Sequence, residues 1–266
     1  MSDKTHSGHE AGGHEHSRWL AHHFDTPQQQ FFSVKLGMWI FLVTEILFFS
    51  GLFCAYAVYR RNYPEIFADG HHFLDTTMGA INTAVLIFSS LTMAWAVRAA
   101  QLSQKRTLII CLIITLACAF GFLGIKYQEY KAKWEHRLVP GQARLEKWFG
   151  VSESTGPITR GDLGFHPDRE YIDKKIQKHS DRKLTQAELD ERAKNLGPFF
   201  GIYFCLTGLH GFHVICGIIA ITWLLIRSYQ GHFSAEYVEP VDCVGLYWHL
   251  VDLIWIYLFP LLYLIH

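Results

Sequence analysis

The chain has 266 residues, half of them hydrophobic and 15% aromatic, with 24 basic and 24 acidic side chains that sum to a formal net charge of zero. A neutral balance gives no bulk electrostatic case for nucleic acid. So apolar a composition, alongside 18% charged residues, fits a folded protein only if the charge is segregated from the apolar runs.

The segregation is visible in chain order. Residues 1–34 form a polar arm carrying His6, His9, His14, His16, His22 and His23. Gly and Ser dilute this tract, so a disordered arm is expected, with metal binding as the rival reading. The arm is hydrophilic and the first apolar run starts late, so no cleavable signal peptide is expected.

The first span is predicted over 35–59. Glu45 lies about ten residues into it, roughly 15 Å along a helix from Lys35 and near the middle of a hydrocarbon core of roughly 30 Å. An ionisable group at that depth costs at least about 2.5–3.5 kcal/mol unless it is paired, protonated or turned toward protein. Further spans are predicted over 78–99, 107–127, 198–227 and 243–265. In lipid each must satisfy its own backbone, so all five are expected to be helices. Ser89, Ser90 and Thr92, and Gly201, Gly208, Gly211 and Gly217, suit close helix contacts. Trp39, Tyr56, Tyr59, Trp95, Tyr127, Tyr247, Trp248 and Tyr263 cluster near span ends, as an aromatic belt would.

Arg98, Lys105 and Arg106 in the second connection, with Arg227 at the end of the fourth span, predict a cytoplasmic N-terminus. Arg60, Arg61, Lys126, Lys131 and Lys133 on the other side argue against it. The six cysteines, Cys54, Cys111, Cys118, Cys205, Cys216 and Cys243, sit in or beside apolar runs without zinc spacing. They read as small buried hydrophobes.

Residues 131–196 hold fourteen of the 24 basic and eleven of the 24 acidic side chains. This is a charged, water-soluble insert between the third and fourth spans. Helices are predicted near 168–180 and 185–196, the second opened by a Thr185-Gln-Ala-Glu188 capping box and stopped by Gly197-Pro198. Its low apolar content predicts that it packs on a partner surface or stays mobile. The organisation is therefore an arm over 1–34, three spans within 35–130, the insert over 131–196 and two spans within 197–266. The fold class is an all-α integral membrane protein, a bundle of five transmembrane helices.

Membrane-depth polar groups recur in four spans: Glu45; Asn82; His210 and His213; Trp248, His249 and Asp252. His210 and His213 share a helix face, as do His249 and Asp252. Three readings stand. Two histidines with carboxylates suit a metal, yet the Glu-x-x-His pattern of bundle di-metal sites is absent from the spans. Intramembrane Glu, His and Asp also make proton or ion relays, although no internal repeat is apparent. The structural reading pairs His249 with Asp252 and bonds the other histidines to neighbouring helices or lipid headgroups. Haem ligation by the histidines of the last two spans stays open on sequence alone.

Local strings then carry a resemblance. They are Lys35-Leu-Gly-Met-Trp-Ile-Phe-Leu-Val-Thr-Glu45, the run from Ile81 to Trp95, Phe122-Leu-Gly-Ile-Lys-Tyr-Gln-Glu129-Tyr130, Leu206-Thr-Gly-Leu-His-Gly-Phe-His213-Val-Ile-Cys-Gly217 and Tyr247-Trp-His-Leu-Val-Asp252-Leu-Ile-Trp255. In this order they resemble subunit III of the haem–copper respiratory oxidases, the cytochrome c oxidases and their quinol-oxidase relatives. The third string is similar to the family's Gln-x-x-Glu-Tyr ending. The chain looks like a five-span form lacking the first two helices of seven-span members, and its insert is longer than the family's usual connection.

The resemblance implies a subunit without its own haem, copper or other metal and without catalytic residues. Haem and copper belong to partner subunits. Such a subunit packs beside catalytic subunit I and other oxidase subunits, holds phospholipid and supports proton uptake. Glu45, His213 and Arg227 are then the expected lipid-facing or proton-uptake set. Asn82, Glu129, His210, Trp248, His249 and Asp252 form a structural polar seam. The insert would lie on the outer face of a bacterial inner membrane, where cytochrome c or a supercomplex partner docks. Arg227 also makes sense alone, as a guanidinium at headgroup level suited to phosphate.

Overall fold

The computed structural model describes residues 24–148, 164–180, 182–233 and 237–264. The histidine tract up to His23 and the middle of the insert, 149–163, lie outside them. The described residues form α1 (Pro27–Asn62), α2 (Pro64–His71), α3 (Thr76–Gln101), α4 (Lys105–Glu135), α5 (Gln142–Trp148), α6 (Arg169–Lys178), α7 (Gln186–Asn195), α8 (Gly197–Tyr229) and α9 (Glu239–Tyr263). The long helices α1, α3, α4, α8 and α9 carry the five runs long and apolar enough to cross a membrane.

Local chemistry sets the helix starts. The Thr26 hydroxyl accepts from the Gln29 N–H at 3.2 Å. The Asp75 carboxylate accepts from the N–H groups of Thr77 and Met78 at 2.9 and 3.2 Å and opens α3. These bonds occupy donors that a helix N-terminus leaves unpaired. Glu188 accepts from the Thr185 N–H at 2.8 Å and from its hydroxyl at 3.0 Å, so the expected capping box forms. α7 ends at Asn195, just before Gly197-Pro198, as expected, but the chain turns straight into another helix. Only Leu196 separates α7 from α8, and Pro198 sits in the first turn of α8, where a missing N–H costs nothing.

α3 packs against α4 and α9, and α8 closes the other side of that pair. Leu86, Met93, Leu112, Trp248, Trp255 and Leu258 are fully buried in the resulting core. Gly217 admits a close approach of α9. A Cβ there would stand 2.6 Å from the Trp248 ring. The other small residues of α8 play a lesser part, since a Cβ on Gly201 or Gly211 meets nothing within 4 Å.

α1 leans on α8 and α9 along one stripe. Leu42, Phe49 and Tyr56 are its buried positions, seven residues apart, which is two turns of a helix. The rest of its apolar surface, including Trp39, Ile40, Leu47, Phe48 and Val58, faces outward. Exposed apolar area of this extent on helices of this length is the surface of an integral membrane protein.

The insert helices sit where α1 and α4 end and α3 and α8 begin. The expectation that this region packs on a partner or stays mobile is corrected for α6 and α7. Ile172 and Ile176 on α6, and Leu189 and Ala193 on α7, are buried. Each pair is spaced i, i+4 and makes one short apolar stripe, which is enough to dock the helix on its own bundle. Arg192 adds an ion pair to Asp69 at 3.0 Å, and Lys175 donates to the His72 carbonyl at 2.9 Å. His71, His72 and His179 stack in a row beside that contact, with ring centroids 3.9 and 4.0 Å apart.

Two composition readings also change. Trp39, Tyr59, Trp95 and Tyr127 are exposed as a belt requires, but Tyr56, Trp248 and Tyr263 are buried. Cys54 and Cys205 are exposed on the outward faces of α1 and α8 rather than buried.

Candidate functional site

The depth problem posed by Glu45 is solved on α8. Glu45 Oε2 lies 2.9 Å from His213 Nε2, with side-chain exposures of 19% and 12%. His213 Nδ1 lies 2.8 Å from the Leu209 carbonyl. A carbonyl only accepts, so Nδ1 carries a hydrogen. A single proton then occupies the gap between Nε2 and Oε2. It makes either a neutral acid–imidazole pair or an ion pair, and both are neutral overall. Removing that proton sets two lone pairs against each other. Adding one leaves a net charge at membrane depth. The Tyr247 hydroxyl donates to the His213 carbonyl at 3.0 Å, and Phe49 packs on the imidazole at 5.2 Å. The pair is therefore a one-proton site with a fixed tautomer, partly open to the surroundings.

A second cluster lies near the insert end of the bundle. Glu129 Oε2 is 2.6 Å from Lys126 Nζ, and Oε1 is 2.9 Å from Lys133 Nζ. The Tyr203 hydroxyl donates to Glu129 Oε1 at 2.9 Å, and the Tyr263 hydroxyl lies 2.7 Å from the same oxygen. Lys126 Nζ also donates to Tyr263 at 2.6 Å and sits 4.5 Å from the Trp255 ring centroid. The carboxylate is saturated with donors, so it binds nothing further. Its role is to hold two buried ammonium groups in the core. Lys126 and Lys133, expected at the membrane edge, are 7% and 4% exposed. The missed signal is Lys126-x-x-Glu129-x-x-x-Lys133, which sets all three on one helix face. Lys126 also stands where the Gln-x-x-Glu-Tyr ending has Gln.

The remaining seam residues either bond between helices or lie buried. The expected His249–Asp252 pair does not form. His249 Nδ1 instead lies 2.6 Å from the Ser90 hydroxyl. That bond reaches across to α3, which an i, i+3 pair within one helix cannot do. Trp248 donates to Ser89 at 2.9 Å and Trp255 to Thr83 at 3.1 Å, both tying α9 to α3. Among the described residues, neither ring nitrogen of His210 has a hydrogen-bond partner. It is fully buried against Phe122 and Trp255, with centroids 5.4 and 5.1 Å away. The side chains of Asn82 and Asp252 are likewise buried without a hydrogen-bond partner. Arg227 does not join Glu45 and His213. It lies fourteen residues further along α8, roughly 21 Å, exposed at the end of the helix with its guanidinium 5.4 Å from the Trp223 ring centroid.

Comparison with known proteins places this bundle. A family model described as "Cytochrome c oxidase subunit III" matches residues 15–134 and 195–266. The unmatched stretch between them is the insert. The chain is 31% identical over 230 residues to "Cytochrome c oxidase subunit 3" of Synechocystis sp., covering 86% of this chain and 74% of that protein. It is 23% identical over 264 residues to "Cytochrome bo(3) ubiquinol oxidase subunit 3" of Pseudomonas aeruginosa, covering 99% and 98%. It is also 25% identical to "Heme-copper oxidase subunit I+III" of Aeropyrum pernix, covering 87% of this chain and 23% of that longer protein.

An outward-apolar bundle of membrane helices whose polar groups are mostly bonded to one another is the class of a membrane-embedded subunit. The chain belongs to the cytochrome c oxidase subunit III family and is a subunit III of a haem–copper oxidase, an integral membrane component of a complex with other oxidase subunits.

Proposed function

We propose that the chain is the non-catalytic subunit III of a proton-pumping cytochrome c oxidase, which reduces oxygen to water. In this reading it packs beside catalytic subunit I, which holds haem and copper. It retains phospholipid at its own surface and supports proton uptake. The observation that carries the proposal is the Glu45–His213 pair, a one-proton site on the outer stripe of the bundle at membrane depth. A site of that kind sustains a local proton supply without touching oxygen chemistry. The Aeropyrum relative, named for subunits I and III together, supports the pairing with subunit I. The Pseudomonas relative, named as a ubiquinol oxidase subunit, supports a second reading in which quinol is the donor.

In this reading the N-terminus lies on the cytoplasmic side of a bacterial inner membrane. Lys126 and Lys133 are absorbed by Glu129, which removes them from the charges that opposed this orientation. Arg98, Lys105, Arg106 and Arg227 on the N-terminal side then stand against Arg60, Arg61 and Lys131 on the other. The insert then faces outward. The exposed lysines of α6 and α7, Lys174, Lys178 and Lys194, offer a contact for cytochrome c or a supercomplex partner.

The test is Glu45→Gln in the assembled oxidase. Haem and copper content and oxygen reduction should persist, while proton uptake or the durability of turnover falls. Abolished oxygen reduction with all cofactors present would make the subunit catalytic and defeat the proposal. Net proton-coupled transport by the isolated chain in vesicles would favour an autonomous transporter instead.

A further inference from the structure

At the insert end of α1, consecutive guanidiniums from Arg60 and Arg61 meet a groove between α1 and α9. The groove has a volume of about 470 Å³ and is walled by Phe53 and Ala57 on α1 and by Tyr257 and Leu261 on α9. Phe53 and Tyr257 meet edge to face at 4.9 Å and form its floor. The back wall is Tyr56, whose hydroxyl donates to the Leu261 carbonyl near the C-terminus of α9. Arg60 Nη1 donates to the same Tyr56 oxygen at 3.0 Å, and its guanidinium lies 5.9 Å from the Tyr56 ring centroid. One guanidinium edge is thereby fixed while the others stay available. Among the described residues, neither Arg60 nor Arg61 has a carboxylate within ion-pair distance.

Depth identifies what reaches this place. Lys35 opens the apolar run of α1 and pairs with Asp242 at 3.2 Å on the far side. Residues 36–59 then span roughly 36 Å of helix against a hydrocarbon core of roughly 30 Å. Arg60 and Arg61 therefore lie at headgroup level of the insert-side leaflet, with the apolar groove running below them toward the acyl region.

We infer that this groove is a subsite for an anionic diacyl phospholipid of the insert-side leaflet, with its phosphate held by Arg60 and Arg61 and an acyl chain lying over Phe53 and Tyr257. Guanidinium forks match phosphate oxygens in bidentate geometry. The volume falls within the roughly 300–1,000 Å³ of ordinary ligand pockets. Two cations without a carboxylate partner among the described residues select a net anionic headgroup, because the ammonium of a zwitterionic lipid would meet guanidinium at close range. The site lies at the opposite end of the bundle from Arg227. It rests on the proposed retention of phospholipid but does not use the Glu45–His213 pair.

The test uses the whole oxidase reconstituted with spin-labelled phosphatidylglycerol or spin-labelled phosphatidylcholine, reading the motionally restricted fraction of each. A basic residue near the surface strengthens anionic-lipid association roughly fivefold, about 30-fold for two. Arg60→Gln with Arg61→Gln should remove most of the preference for phosphatidylglycerol while the haem spectrum stays unchanged. Retention of the full preference in that double variant overturns the inference. So does displacement by inorganic phosphate alone, which would make the site one for free anion. A photocrosslinker at Ala57 that captures another oxidase subunit rather than lipid would also overturn it. Arg227→Gln separates the two readings. Loss of lipid there, with none in the double variant, leaves the proposed function standing and removes this site. Indifference to both lipids in the unmodified complex removes phospholipid retention itself.

Discussion

Lys126 and Lys133 tolerate burial because the Glu129 carboxylate meets both, at 2.6 and 2.9 Å, and the Tyr263 hydroxyl meets Lys126 at 2.6 Å. Glu129→Gln keeps the volume but leaves two ammonium groups in the core without a counter-charge. Breaking a buried pair by removing one partner costs about 3–5 kcal/mol. The variant should lose most of its assembled yield and unfold at markedly lower temperature in mild detergent. An unchanged unfolding temperature would contradict the buried-cluster account. At Glu45 the opposite outcome is expected, since the amide can still donate to His213 Nε2 and assembly should survive. Glu45 was legible in the sequence because a carboxylate inside an unbroken apolar run is costly unless it is paired, protonated or turned toward protein. Lys126 and Lys133 were not. A lysine near a span end reads equally well as a headgroup contact, and only the i, i+3 and i+4 spacing around Glu129 distinguishes the two.

Helix contacts divide the bundle into a tight part and a looser one. Between α8 and α9 the separation is set by Gly217 against Trp248. Gly217→Val forces the indole away from Ser89 and should destabilise the protein by about 1–3 kcal/mol through overpacking, read as a lower melting temperature of the purified complex. No change would mean that α9 shifts freely. The insert is held by short apolar stripes and a few polar contacts, among them the His71–His72–His179 row. Burial first, and then the positive charge of His71, His179 and Lys175, pull the His72 imidazole down to about 4. The folded state thus favours neutral His72. This contribution is complete above the unfolded value near 6.5 and is lost as pH falls from there toward 4. Amide protection factors in α6, corrected for the intrinsic pH dependence of exchange, should fall between pH 7 and pH 5, with those of the spans unchanged. Equal protection of α6 at both pH values would sink the idea. The cap at Thr185 was legible because capping is local. The docking of α6 and α7 was not, because two buried residues per helix hardly register in so charged a stretch.

For the molecule as a whole, the number of spans was legible, since lipid leaves helices as the only arrangement for these runs. Pairings between helices were legible only in part. Glu45 and His213 are 168 residues apart, and either had other candidate partners among the seam residues. His249 illustrates the failure, because proximity along one helix suggested Asp252 while packing gave Ser90. The outward apolar faces fit an integral membrane subunit of a haem–copper oxidase. If the exposed lysines of the insert dock an outer partner, Lys174→Glu, Lys178→Glu and Lys194→Glu together should weaken cytochrome c turnover at low salt and leave assembly intact. Unchanged turnover would remove the docking role.

The most direct test of the central claim is affinity purification of the tagged chain in mild detergent, with an optical spectrum and metal analysis before and after harsh detergent strips its partners. The account predicts haem bands and copper in the intact eluate and their loss from the stripped chain. A stripped chain that keeps haem or metal, or a chain that purifies alone and colourless from the mild detergent, would contradict it.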